Sequence, residues 1–411
     1  MTDTVGPRTE VLRTGPIRYA TAERFGRPRP VPDDDPRPAS GEIAPQPPSR
    51  LDFVMGPPAD VHPQGEDCLN LSIATPARDA GARPVLVWLH GGGFSSGAGL
   101  MDWYDGGVLA AEGDVVVVSV NYRLGALGYL LLDGVSEGNL GLFDQVEALR
   151  WVHTHIAAYG GDPTDVTVLG QSAGGISVRL LILMELPEAR GLFRRAILQS
   201  APLEITARPA AESHALGRYF ADALGTDPRT ADLPALLAAQ GETARHHLRG
   251  AGRRMEPAFI PVEGVGPVPA PGGPPGDGVR GLDVLYGWNA DDMIVFMGED
   301  DDAAVRTREV YEEPLTRHAE RLARAGARVH AYRVDWRPAG SPLGAAHCLE
   351  LPLLFGTRDA WRSAPMLGST PREETERLGR ALRSAWLGFA RTGTFDGLPA
   401  PLTDGPVPGP S

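Results

Sequence analysis

The sequence predicts an α/β protein in which a mostly parallel sheet carries helices on both faces. Along its 411 residues, short apolar runs alternate with stretches in which apolar residues recur every three or four positions. A continuous apolar run is typical of a strand buried on both faces, and the three-to-four spacing is typical of an amphipathic helix. Alternation of the two patterns favours a parallel sheet.

Six segments have the composition of strands. They occupy residues 84–89, 114–120, 166–169, 195–199, 281–288 and 327–334. The first two, PVLVWL and DVVVVSV, are continuous apolar runs, so we expect them to be buried on both faces of the sheet.

Three helices are predicted from apolar residues that fall on one face. The first contains Leu142, Val146, Leu149, Val152 and Ile156 and is ended by the glycine pair 160–161. The second is the apolar stretch 176–186. The third lies near the carboxyl end and contains Leu378, Leu382, Ala385, Trp386 and Phe389.

The chain shows no internal repeat. Residues 1–65 are rich in Pro, Arg and Asp and are expected to form an irregular segment packed on the core, before a single domain at 66–411. The segment 257–281 is dense in Pro and Gly, and we interpret it as a long loop within that domain rather than a linker.

Composition excludes several classes of protein. The formal charge of −13 disfavours nucleic acids and anionic membranes as partners. All 39 basic residues are arginines, which excludes a phosphate-loop lysine, a pyridoxal Schiff base and a Ser-x-x-Lys nucleophile. Because the apolar runs are far shorter than the roughly 18 residues of a membrane span and no signal-peptide core is seen, we expect a cytoplasmic location.

The strongest functional motif is Gly170-Gln171-Ser172-Ala173-Gly174. It follows the predicted strand 166–169 and precedes the predicted helix 176–186, which is the context of a Gly-x-Ser-x-Gly nucleophile elbow. The strained turn requires small neighbours, and the following amides point towards developing negative charge. The motif predicts a serine nucleophile.

A second motif, HGGGF at residues 90–94, directly follows the strand PVLVWL. Glycines after a strand can present backbone N–H groups to a substrate oxygen, because no Cβ stands in the way. Loops of this type form half of an oxyanion hole in lipases and esterases. A flexible glycine-rich turn is the alternative interpretation.

These motifs, with others in the expected order, resemble the type-B carboxylesterases, the cholinesterase-like branch of the α/β-hydrolases. EDCLNL at 66–71, VVVVSVNYRLGALGYL, GNLGLFDQVEALRWV, YGGDPTDVTVLGQSAGG and LFRRAILQS all follow the family pattern. The resemblance is near-continuous from about Ile17 to Ser200. It implies an α/β-hydrolase fold, and an oxyanion hole formed by the backbone N–H groups of Gly92, Gly93 and Ala173.

The resemblance also implies a base and an acid for Ser172. His347, in GAAHCLELPLLFG, is similar to the family's histidine motif, in which a Glu-Leu-Pro run follows. His246 and His247 are expected to be solvated. For the acid, the strand-end segment LYGWNADD maps the family position to Asp292, with Asp291 as a competitor.

The chain departs from the family at three places. Gln171 stands where the family usually has Glu, so the field around the imidazole is expected to differ. Cys68 matches one half of a family disulfide, but the other half falls near Ala44, which predicts a free thiol. The chain is also shorter than is usual, which predicts a reduced helical cap formed by insertions at roughly 203–280 and 293–326.

The sequence therefore predicts a serine carboxylic-ester hydrolase for small-molecule esters, with no cofactor and no metal. The alternatives are hydrolysis of an amide, carbamate or lactone, or a non-catalytic cholinesterase-like binding protein. The acidic runs 33–35 and 300–302 lack the spacing of a calcium loop and are expected to be solvated. Trp103, Tyr104 and Trp288 are expected either to line the substrate pocket or to pack in the core.

Overall fold

The structure is a computed structural model that describes residues 10–32, 38–184, 186, 189–205, 207–251, 256–273, 275–297, 302–357 and 359–405. A sheet of nine strands runs through this part of the chain, in the order β1-β4-β6-β5-β9-β10-β11-β12-β13. The strands are β1 (Leu12–Arg18), β2 (Ala20–Thr21), β3 (Arg29–Pro30), β4 (Asn70–Thr75), β5 (Arg83–Leu89), β6 (Val116–Val120), β7 (Leu131–Leu132), β8 (Ser136–Glu137), β9 (Gly161–Gln171), β10 (Arg195–Gln199), β11 (Asp283–Asn289), β12 (Arg328–Val334) and β13 (Leu402–Asp404).

From β6 to β12 the neighbouring strands of the large sheet pair in parallel. Antiparallel pairs flank them: β4 with β6 and with β1 on one side, and β13 with β12 on the other. Two short ribbons, β2–β3 and β7–β8, lie outside the large sheet. The mostly parallel sheet predicted from the sequence is confirmed.

Helices surround the sheet. In chain order they are α1 (Asp52–Met55), α2 (Gly107–Gly113), α3 (Gly125–Tyr129), α4 (Leu140–His155), α5 (Ala173–Leu183), α6 (Ala210–Leu224), α7 (Leu233–Ala251), α8 (Ala303–Thr307), α9 (Glu313–Arg324), α10 (Glu350–Phe355) and α11 (Arg372–Thr392). The three helices predicted from apolar spacing correspond to α4, α5 and α11, and α5 begins earlier than expected because it starts directly after the turn at Ser172.

Strand β5 shows how the sheet separates two apolar cores. Its residues alternate, so that Val87 packs into one core with α4 and α5. The neighbouring Trp88 packs into the second core with α2, α10 and α11. Both side chains are fully buried, which explains why the strand reads as a continuous apolar run rather than an alternating one.

The amino-terminal segment differs from the irregular structure expected of it. Strand β1 pairs with β4 at the edge of the large sheet, with a register shift between Thr14 and Ile17. Its burial pattern is mostly exposed, so its sequence lacks the apolar signal by which buried strands are recognised. Ala44, near the position of the missing cysteine, is buried, and Cys68 is a free thiol as predicted.

Some predictions fall outside the described residues. These are the acidic run 33–35 and residues 300 and 301 of the second run, whereas Asp302 caps α8 by accepting hydrogen bonds from the N–H groups of Ala304 and Val305. The loop predicted at 257–281 consists, in its described residues, of turns, irregular structure, one short 3₁₀ segment and an isolated β-bridge between Val262 and Arg208. Of the described helices, none has the length and apolarity required to cross a membrane. The domain limits and cap insertions stay predictions.

Candidate active site

The predicted site residues meet at one edge of the sheet. The motif loops follow the carboxyl ends of β5, β9, β11 and β12, which lie at the same edge because these strands run in parallel. A cavity of about 340 Å³ opens there, within the size range of small-molecule sites. Its wall includes Gly92, Gly93, Ser172, Ala173 and His347.

Ser172 occupies the turn between β9 and α5, with φ 56° and ψ −121°. A positive φ is rare for a residue with a side chain and marks a turn held by its surroundings. Two backbone hydrogen bonds hold it: the Ser172 N–H donates to the carbonyl of Gln199 at 2.9 Å, and the Ile176 N–H donates to the carbonyl of Ser172 at 2.9 Å. The strand, turn and helix predicted from the sequence are present.

The two outer glycines of the motif are required by close approach of the backbone. A Cβ on Gly174 would lie 2.0 Å from the carbonyl oxygen of Leu89 in β5. A Cβ on Gly170 would lie 2.5 Å from the backbone of Gly174 itself. Any larger residue would therefore push α5 away from the sheet and displace the serine.

His347 and Asp292 form a buried pair. The imidazole Nδ1 lies 2.7 Å from Asp292 Oδ1, and both side chains have at most 1% of their surface exposed. Asp292 Oδ2 accepts a second hydrogen bond, from the backbone N–H of Asn289 at 2.8 Å. A buried carboxylate that contacts Nδ1 leaves Nε2 to face the cavity.

The competitor Asp291 faces elsewhere. Its carboxylate pairs with Arg337 at 2.8 Å and accepts a hydrogen bond from the N–H of Ala345 at 2.8 Å. Asp291 therefore anchors the loop that leads to His347, and Asp292 is the acid in contact with the imidazole.

Gln171 lies directly against the imidazole. Its Nε2 is 3.1 Å from His347 Nε2 and 3.5 Å from the sulfur of Cys348. Among the described residues, the hydrogen bonds of the imidazole join it to this amide and to Asp292, and none joins it to Ser172 Oγ. Catalytic hydrogen bonds are often poorly aligned before substrate binds, so this arrangement is compatible with proton transfer between Ser172 and His347.

The glycine loop after β5 is held in a shape that side chains would not permit. Gly92 has φ +111°, and a Cβ there would lie 2.0 Å from the carbonyl oxygen of Ser96. That carbonyl belongs to a tight turn in which the Ser95 and Ser96 N–H groups donate to the carbonyl of Gly92 at 3.1 Å.

His90 directly precedes this loop. Burial lowers the pKa of His90 to about 4, so this imidazole is neutral and structural.

Two polar residues beside the pair were not singled out from the sequence. Asn289 donates from Nδ2 to the carbonyl of Ala346 at 2.8 Å and to Glu350 Oε2 at 2.6 Å. Glu350 is fully buried, and this burial, together with the charge of Asp292, raises its pKa to about 7. Glu350 belongs to the Glu-Leu-Pro run after His347, so the motif contained it without indicating its role.

The structure separates the aromatic candidates. Trp103 and Tyr104 line the cavity, whereas Trp288 is buried within β11 and stacks on Tyr286. His247, expected to be solvated, instead has its Nε2 3.3 Å from the guanidinium of Arg208. The described residues contain no cluster of three or more His, Cys, Asp or Glu side chains arranged to hold a metal ion.

The sheet order, the elbow after β9 and the His347–Asp292 pair define an α/β-hydrolase. Comparison with protein families then identifies the branch: the model described as "Carboxylesterase family" matches residues 15–240. The chain therefore belongs to the carboxylesterase family, and the expectation drawn from its motifs is confirmed. It is an ester hydrolase.

Curated relatives cover most of the chain. The protein named "Probable N-octanoylanthranilate hydrolase AqdA2" from Rhodococcus erythropolis is 41% identical over 92% of this chain and 88% of its own length. The para-nitrobenzyl esterase of Bacillus subtilis (strain 168) is 34% identical over 86% of this chain and 79% of its own. A solved structure titled "Thermophylic PNB esterase" superposes with a TM-score of 0.82 at 29% identity, over 96% of this chain and 90% of that one.

Proposed function

We propose that the protein hydrolyses small-molecule carboxylic esters through an acyl-enzyme on Ser172. The observation that carries this proposal is the buried 2.7 Å contact between His347 and Asp292 beside a serine in a strained elbow, at the wall of one cavity. Neither the elbow nor the buried carboxylate is needed by a protein that only binds its ligand.

In the first half-reaction, Ser172 Oγ attacks the ester carbonyl carbon while its proton moves to His347 Nε2. The new C–O bond gives a tetrahedral oxyanion, which the N–H groups of Gly92, Gly93 and Ala173 stabilise. The bond to the leaving alcohol then breaks, and the alcohol takes the proton from Nε2. Water repeats the sequence to release the acid and restore the serine.

Asp292 has two roles in this scheme. Its contact with Nδ1 fixes the tautomer that leaves Nε2 free to accept a proton, and its charge stabilises the imidazolium that forms. Because the pair is buried, water does not screen that charge.

Labelling with a fluorophosphonate probe tests the nucleophile. We expect one equivalent bound on the peptide that contains Ser172, and neither labelling nor turnover of 4-nitrophenyl butyrate by Ser172→Ala. The matched control is Ser49→Ala, which removes another serine of the same cavity wall. Labelling that persisted in Ser172→Ala would contradict the assignment.

A matched amide, the 4-nitroanilide of butyrate, tests the alternative of another acyl bond. It is included because the Rhodococcus relative is named for an N-acylated compound. We expect the ester to be hydrolysed faster, because an alcohol leaves more readily than an amine and no acid besides His347 is proposed to protonate the leaving group.

The cytoplasmic location stays a prediction, which cell fractionation tests.

A further inference from the structure

An arginine, Arg50, lies in the wall of the active-site cavity, beside the glycine loop. One terminal nitrogen of its guanidinium, Nη2, lies 3.4 Å from the place that a Cβ on Gly93 would occupy. A ligand in contact with this loop is therefore within reach of a positive charge.

Arg50 has no acidic partner among the described residues. Burial is the cause that lowers the pKa of its guanidinium, and no neighbouring carboxylate raises it. Arg24 illustrates the opposite case, because its hydrogen bond to Glu66 raises its pKa. Taken as a whole residue, Arg50 is exposed to solvent. The two observations are consistent for an arginine that lines an open cavity.

The other charged groups of the wall do not neutralise this arginine. Asp60 is bonded to His62 at 2.6 Å and also accepts the N–H of Asp102 at 3.1 Å. Asp52 lies in the first turn of α1 and forms no ion pair with Arg50. A guanidinium that has lost part of its hydration without gaining a counter-ion is stabilised by an anion that enters the cavity.

We propose that Arg50 binds a carboxylate of the substrate, so that the preferred substrates are esters that also carry a free carboxylate. The planar fork of a guanidinium matches a carboxylate with two parallel hydrogen bonds. Ile176, Ile205 and Phe296 supply an apolar wall in the same cavity. The substrate class is therefore a hydrocarbon ester with one negative charge. This inference rests on the proposed ester hydrolysis.

The test compares three esters of one series. These are 4-nitrophenyl hexanoate, which is neutral, 3-carboxy-4-nitrophenyl hexanoate, with the carboxylate on the leaving group, and 4-nitrophenyl hydrogen adipate, with the carboxylate on the acyl chain. Each kcat/KM is corrected for spontaneous reactivity and divided by that of the neutral ester. The ratio removes any general effect of a substitution on folding or on the oxyanion hole.

We expect the ratio for one of the two charged esters to exceed 1 and to fall on the order of tenfold in Arg50→Gln, with a larger fall in Arg50→Glu. The ester that responds shows which half of the substrate faces Arg50. The fall should also shrink at high salt. The matched control is Arg280→Gln, an exposed arginine before the amino end of β11, which should leave both ratios unchanged.

Equal losses for neutral and charged esters in Arg50→Gln would overturn the proposal and indicate a role at the oxyanion or in folding. Unchanged ratios would overturn it as well. Titration calorimetry on the Ser172→Ala variant tests binding by Arg50 independently of the proposed ester hydrolysis. In that background the charged ester should bind about tenfold more tightly when residue 50 is Arg than when it is Gln.

Discussion

A negative charge beside His347 should move the acid limb of the pH–activity profile, and Gln171→Glu introduces one. The base must be unprotonated to accept the proton of Ser172, so kcat/KM falls as the imidazole becomes protonated. A carboxylate in place of the Gln171 amide would face the imidazole nitrogen, which is now 3.1 Å from the amide nitrogen. It would favour the protonated ring and move the limb to higher pH.

The magnitude follows from that distance. Two unit charges about 3 Å apart attract by about 5 kcal/mol at an effective dielectric constant of ~20, which is an upper bound because the new carboxylate must itself be dehydrated. Opposite charges at such range commonly shift a titration by about 1–3 units. We therefore expect the acid limb of Gln171→Glu to lie about 1–3 pH units above that of the native protein.

The assay is kcat/KM for a neutral activated ester from pH 5 to pH 9, corrected for spontaneous hydrolysis. Gln171→Met is the matched control, because it removes the hydrogen bond without adding a charge and should not raise the limb. Glu350→Gln is a second control, because Glu350 also titrates beside the imidazole. An unmoved limb in Gln171→Glu, or an equal rise in the Met variant, would refute the electrostatic reasoning.

Three further predictions concern the surrounding residues. Asp292→Asn should lower kcat by on the order of 10⁴ while the circular dichroism spectrum is retained, because an amide favours the wrong imidazole tautomer. Gly93→Ala should lower kcat about 10²-fold in the same ester assay, because Gly93 has φ +61° and the added methyl distorts an oxyanion donor; an unchanged kcat would exclude this role. Burial raises the pKa of Glu350 from 4.5 to about 7, so its contribution to stability is complete below pH 4.5 and is lost as pH rises towards 7. Urea unfolding should therefore show that the free energy of unfolding of Glu350→Gln rises, relative to that of the native protein, by up to about 3 kcal/mol from pH 4.5 to pH 7. A difference between the two proteins that did not change with pH would contradict this.

The sequence alone determined the features whose signals are local. The apolar runs predicted strands such as β5 and β10, because burial on both faces leaves no polar alternation. The motif around Ser172 predicted the turn, since only glycine permits the backbone contacts at positions 170 and 174. The edge strand β1 was not predicted, because most of its residues are exposed and it therefore lacks the apolar run by which the buried strands were recognised.

Tertiary structure decided what depends on the direction of a side chain. The resemblance mapped the acid to Asp292 but left the adjacent and chemically identical Asp291 as a competitor. The turn after β11 separates them, because it directs Asp292 to His347 and Asp291 to Arg337. The same holds for Arg50, which is far from the motifs in sequence yet stands in the cavity wall. Such choices are made by contacts between distant parts of the chain, and neither spacing nor composition records them.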